Sequence, residues 1–106
     1  MESKALYNAH SHLLYKVVWN EWAYIGVGDD FNEDAVQRTI STVFGEEVIY
    51  FVIDRRTGGE IKIADIVPFI KLHLPTQGVT LWNKSLTNVM TFAPIGVVRD
   101  GHVRIT

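Results

Sequence analysis

The stretch Glu46-Glu47-Val48-Ile49-Tyr50-Phe51-Val52-Ile53-Asp54, continued by Arg55-Arg56-Thr57-Gly58-Gly59 and Glu60-Ile61-Lys62-Ile63, decides how the chain folds. Six apolar residues, Val48 to Ile53, run without a break. They are rich in β-branched and aromatic types, the pattern of a strand buried on both faces. That predicts the central strand of a sheet. The Thr57-Gly58-Gly59 segment offers the positive φ of a reversal, and Ile61 and Ile63 then alternate with Glu60 and Lys62 as in a strand with one solvated face. The two segments form a predicted hairpin around which the other elements pack.

Upstream of it, Ser3 to about Trp19 reads as a helix. Leu6, Ala9, Leu13 and Val17 fall at helical spacing, Tyr7, Leu14 and Val18 widen the stripe, and Ser3 is the candidate N-cap. The density of Leu13 to Trp19 equally fits a strand. Trp22 to Val27 reads as a short strand closed by Gly28-Asp29-Asp30. Asp30 or Asn32 then caps a second helix, Glu33 to about Phe44, whose acidic first turn complements the helix dipole and whose buried stripe is Val36, Ile40, Val43 and Phe44. Gly45 stops it.

Downstream, Asp65 is placed to cap a helix over Ile66–Leu74, because that start puts Pro68 in the first turn, where its missing N–H is tolerated. Strands follow at Val79–Trp82 and Val89–Phe92, the latter continuing through Pro94 to Ile95–Val98, where Pro94 and Gly96 predict a bulge or an edge. Asp100-Gly101 signals a two-residue turn between Val97–Arg99 and His102–Ile105. The class is α/β (α+β): a single domain over residues 1–106, with a mixed central sheet, helices packed against it, and the order α-β-α-β-β-α-β-β-β. No repeat, low-complexity segment or linker divides it.

Composition narrows the function classes. A chain of 106 residues with 47% hydrophobic and 21% charged content builds one core. The absence of cysteine excludes disulfides, thiolate metal sites and a thiol nucleophile. No apolar run approaches the roughly 20 residues that span a bilayer. Met1-Glu2-Ser3-Lys4 lacks the basic region of a signal peptide, so the expected location is the cytoplasm, with no membrane partner. The net charge of −2 speaks against a dedicated nucleic-acid surface. It is unevenly spread: residues 1–54 carry nine acids against Lys4, Lys16 and Arg38, a balance of −6, while residues 55–106 carry three acids against seven bases, a balance of +4.

No motif specifies a chemistry. His10-x-His12 on a helix directs two imidazoles about 200° apart, which one metal ion cannot bridge, and no HxxxH or HExxH accompanies it. Gly26-x-Gly28 lacks the third glycine of a dinucleotide fingerprint, which falls at Phe31, and Asp29 and Asp30 repel a pyrophosphate. Ser11, Ser41 and Ser85 lack the setting of a nucleophile elbow. The carboxylate pairs Asp29-Asp30, Glu33-Asp34 and Glu46-Glu47 all flank predicted elements, where capping and solubility account for them. No catalytic residue, metal or cofactor is expected. Trp19, Trp22, Tyr24 and Trp82 remain as core material or as binding anchors, according to their exposure.

Four segments carry a resemblance: Tyr50-Phe51-Val52-Ile53-Asp54; Ala64-Asp65-Ile66-Val67-Pro68-Phe69-Ile70-Lys71-Leu72-His73; Val79-Thr80-Leu81-Trp82-Asn83; and Ala93-Pro94-Ile95-Gly96-Val97-Val98-Arg99-Asp100-Gly101. Their layout resembles that of small immunity proteins of contact-dependent growth inhibition and other bacterial polymorphic-toxin systems. The likeness covers about half the chain, lies in the order of elements, and transfers no functional residue. It implies a cytoplasmic, non-enzymatic protein that binds one cognate toxin domain, often a basic nuclease, and neutralises it by covering the active site or a nearby surface. On that reading Asp29, Asp30, Glu33 and Asp34 steer the partner and Trp82 or Trp22 anchors it. Two further readings stand beside it. One is a small-ligand-binding or regulatory module that self-associates into a homo-oligomer through an exposed edge near Pro94 and Gly96. The other is a small enzyme using His73 or His102 with a carboxylate.

Overall fold

The computed structural model describes residues 1–104 and has an α+β fold. Helix α1 (Ser3–Leu13) runs through a 3₁₀ turn at Leu14–Lys16 into strand β1 (Val17–Trp19). Strand β2 (Ala23–Tyr24) and a 3₁₀ turn at Gly28–Asp30 lead to α2 (Glu33–Val43). Then come β3 (Val48–Val52), β4 (Gly58–Lys62), α3 (Ile63–His73), β5 (Val79–Trp82), β6 (Asn88–Ala93) and β7 (Val97–Val103). One sheet is formed in the order β1-β7-β6-β5-β3-β4, with β2 also paired to β7. Every pairing among the described residues is antiparallel, where a mixed sheet was expected.

The sheet is covered on both faces. Alternation along each strand divides the apolar residues into two cores. On one side Ile49, Leu81, Met90, Phe92 and Val98 meet Val36 and Ile40 of α2, Ile66 and Ile70 of α3, and Leu74 that caps α3. On the other, Tyr50, Val52, Trp82 and Val89 meet Leu6 of α1. The Val48–Val52 run is therefore buried from two sides, as its composition requires. It is not central, however: it is the strand next to the β4 edge.

Local departures from the expected elements each have a physical cause. Ser3 is the first helical residue and not the cap, and its hydroxyl donates to the Arg55 carbonyl at 2.9 Å. Asn32 caps α2, its Oδ1 accepting from the Ala35 N–H at 3.0 Å. The β3–β4 reversal needs no positive φ. The Asp54 carboxylate accepts from the N–H groups of Arg56 and Thr57, both at 2.8 Å, and Gly58 and Gly59 lie inside β4.

Helix α3 starts at Ile63, whose N–H donates to the Glu47 carbonyl at 2.8 Å, so Pro68 sits inside the helix. Its cost of about 3 kcal/mol is offset by the burial of Ile66, Val67, Ile70 and Leu74, at about 1.5–3 kcal/mol each.

Asp100-Gly101 makes no turn, for β7 runs straight through it. Gly101 is needed for a different reason. It pairs with Val89 on one side and Trp19 on the other, and a Cβ there would stand 2.6 Å from the Val18 carbonyl oxygen and 2.7 Å from Val17 Cγ1. The reversal lies at Pro94–Gly96 instead, between two interior strands, so no sheet edge is available there. The edges are β4 and β1. Gly101→Ala is expected to lower unfolding stability by about 2 kcal/mol through overpacking against backbone. Gly45→Ala, where a Cβ meets nothing within 4 Å, should stay within about 0.5 kcal/mol; urea denaturation of the two variants measures the difference.

Candidate partner-binding surface

The four acids singled out in the sequence are all exposed, Asp29 and Asp30 in the 3₁₀ turn and Glu33 and Asp34 in the first turn of α2. The segment is held in place by backbone. Asn32 N–H donates to the Ile25 carbonyl at 2.8 Å, and the Ile25 and Gly26 N–H groups converge on the Gly96 carbonyl at 2.8 and 3.0 Å. Gly26 has φ +79°, and a Cβ on it would fall 2.1 Å from the Asp30 carbonyl oxygen, so only glycine allows the loop to fold back so tightly. Glu33 forms an ion pair with Lys71 at 3.0 Å, while Asp29, Asp30 and Asp34 have no ion-pair partner among the described residues.

Trp82 is not on a surface. It is fully buried between α1 and the sheet, and its Nε1–H donates to Nδ1 of His10 at 3.0 Å. An anchor role for Trp82 is thus ruled out by burial, because the ring has no face left for a partner. His10 is itself buried and His12 exposed, so the two histidines face different surroundings, as helical geometry demands. To accept from Trp82, His10 must be neutral with its proton on Nε2, and burial pushes its pKa below the ordinary value.

The exposed aromatics lie elsewhere. Helix α1 packs over β3 and β4, and at the other end of this face Val17 and Trp19 of β1 and Val103 of β7 are only partly buried against the same core. There Trp22 is 46% and Tyr24 69% exposed, and Trp19 is half-buried at the margin of the second core. Between them stands Arg99 of β7. Its Cζ lies 4.3 Å from the centre of the Trp19 ring and 4.4 Å from that of Trp22. It shares its cross-strand row with Thr91 and Thr80, whose hydroxyls are 3.0 Å apart. Sequence reasoning picked out Trp19, Trp22 and Tyr24 but missed Arg99. The signal was present: in Val97-Val98-Arg99-Asp100-Gly101-His102-Val103, a period of two puts Arg99 on the face of Val97 and Val103, a cation on an otherwise apolar row.

Other ionisable groups are dispersed. No three His, Asp or Glu side chains are gathered in a metal-holding group among the described residues. An open groove of about 540 Å³ at one end of the sheet is floored by Phe44, Val48 and Ile63 and rimmed by Glu46, Glu47 and Lys62. His73 packs tilted at 43° against Phe69 with ring centres 4.4 Å apart, and His102 is exposed on β7. Lys84 forms an ion pair with Glu60 and lies 4.6 Å over the Tyr50 ring. That hydrogen-bonded pairing holds the Glu60 pKa below and the Lys84 pKa above their ordinary values. No family model, no curated protein and no solved structure matches this chain. No helix is long and apolar enough to cross a membrane among the described residues.

The His10–Trp82 bond gives a pH dependence with a definite sign. Above about pH 6.5, the ordinary histidine value, His10 is neutral folded and unfolded and stability is unaffected by it. Below that, the unfolded chain takes up a proton that the folded one resists, so stability falls until the pH passes the depressed folded pKa. Urea midpoints of the wild type should therefore drop from pH 7 toward pH 5 more steeply than those of His10→Gln.

Proposed function

We propose that the chain is a non-enzymatic inhibitor of the immunity type, which binds a cognate toxin domain and neutralises it by covering its active site or a neighbouring surface. The observation that carries this reading is the exposed aromatic surface of Trp22 and Tyr24 beside Trp19 and Arg99. Trp, Tyr and Arg dominate the energetics of protein–protein contacts, and a partner would remove from water the apolar area that α1 leaves uncovered. Trp22 takes the anchor role that Trp82 is too deep to fill. The exposed Asp29, Asp30, Glu33 and Asp34 add a negative field that speeds encounter with a basic domain such as a nuclease. The resemblance of the sequence layout to that of small immunity proteins supports the same reading.

The test is to mix the protein with any toxin domain found encoded immediately upstream. A complex on size exclusion and protection of growing cells are expected; neither would be seen if the reading is wrong. Trp22→Ala should weaken the complex about tenfold or more, mainly through faster dissociation. Asp29→Asn, Asp30→Asn and Asp34→Asn combined should slow association at low salt and flatten its salt dependence while leaving dissociation nearly unchanged. Self-association is the second reading, favoured by the open edges of β4 and β1. Sedimentation velocity of the protein alone decides it, a concentration-independent monomer removing it.

A further inference from the structure

The geometry points to a clamp, made of Trp19, Arg99 and Trp22, that takes a single carboxylate presented by an acidic segment of a protein partner. The inference rests on the aromatic surface being the one that faces a partner, and not on that partner being a toxin.

Arg99 is a cation with no ion-pair partner among the described residues. The two ion pairs among the described residues, Lys71–Glu33 and Lys84–Glu60, do not include it. Its sequence neighbour Asp100 belongs to the opposite side of the sheet, since successive residues of a strand alternate, and the Asp100 carboxylate accepts from Asn20 Nδ2 at 3.1 Å. Two indole ring centres lie within 4.4 Å of the guanidinium carbon, and the rings shield part of the group from water. Its Nε is buried and has no hydrogen-bond partner among the described residues. The buried Nε offers a partner no accessible area, so a planar acceptor of opposite charge is met by the two terminal Nη groups, which can give two parallel N–H···O bonds. Cation–π contact with the two rings offsets part of the desolvation and holds the guanidinium plane in a fixed orientation.

The number of charges selects the ligand. Phosphate groups are taken by clusters of Arg and Lys, whereas this site offers one guanidinium. The basic pair Lys16 and Arg104 lines a separate concavity with Tyr15 and Val17. One guanidinium matches one carboxylate. The exposed Trp22 and Tyr24 alongside supply apolar area for the rest of a peptide chain, which inorganic phosphate cannot use. The Asp or Glu side chain of a partner segment fits this combination.

The probe is acetyl-tetraglutamate-amide, with the tetraglutamine analogue and inorganic phosphate as parallel arms at constant ionic strength near neutral pH. The readouts are tryptophan fluorescence and the Arg99 Nε–H resonance in a ¹⁵N-labelled sample. Expected are a saturable shift of that resonance with tetraglutamate and none with tetraglutamine. Arg99→Gln and Trp22→Ala should each weaken binding about tenfold or more, with Arg99→Lys, which keeps the charge and loses the fork, falling between. Trp22 is exposed, so its variant keeps the test decisive if near-UV circular dichroism shows that Arg99→Gln disturbs the fold. Equal responses to the two peptides, tighter binding of phosphate than of tetraglutamate, or a fluorescence response untouched by Trp22→Ala would each overturn the clamp. Wild-type protein that binds tetraglutamate but neither complexes nor protects against the neighbouring toxin overturns the immunity reading and leaves the clamp standing. A toxin complex indifferent to Arg99→Gln, with no peptide binding, does the reverse.

Discussion

A sheet that is apolar on both faces has to be covered on both, and this chain has three helices of eleven residues each with which to do it. Strand β5 shows the constraint most plainly, for all four of its residues are buried, Leu81 in one core and Trp82 in the other. Two helices serve one face and one serves the other. The single helix is tied to the sheet by a buried hydrogen bond: the Trp82 indole N–H, which would be costly to bury unpaired, finds the imidazole of His10 on α1. Beyond α1 the face is only partly buried, and that remainder is where Trp19, Trp22, Tyr24 and Arg99 lie.

The same arithmetic explains the distribution of polar groups. Buried polar side chains are few and satisfied: Thr80 bonds to Thr91, and Asn83 organises the β5–β6 turn through four bonds, its Oδ1 accepting from Thr87 and Asn88 N–H at 2.8 and 2.9 Å and its Nδ2 donating to Ser85 and Thr87 hydroxyls. Against that background the buried, unpartnered Nε of Arg99 stands out. Native interiors leave few such atoms unpaired, and those that exist have a reason.

Elements whose signals were local could be read from the sequence; those decided by distant contacts could not. Asn32 with Glu33 and Asp34 marks the start of α2 by capping and dipole, and Val79–Trp82 is a strand in isolation as in the fold. By contrast, Val17–Trp19 carries the helical stripe onward in sequence, yet it extends because β7 offers a ladder to it. Pro68 argues against a long α3 locally and is overruled by the core it helps to enclose. Asp100-Gly101 reads as a turn from two residues; only the approach of β1 reveals why glycine is there. The candidate site divides in the same way. Exposure of the four acids follows from their place at a helix start, but which tryptophan is buried depends on where α1 lies, and Arg99 becomes visible only when the alternation of β7 is set beside its two indoles.

The pairing of β1 and β2 with β7 has a bearing on the order of assembly. Val17 and Val103 are partners 86 positions apart (17 to 103), and Ala23 and Val98 are 75 apart (23 to 98). During synthesis the first two strands have no ladder to join until the last one has emerged, while β3–β4 and β5–β6 close locally. The aromatic residues of β1 and β2 therefore spend the translation of most of the chain without the guanidinium that will lie between them. The cluster of Trp19, Arg99 and Trp22 is completed only when β7 docks, which makes its presence a report that β1, β2 and β7 have come together.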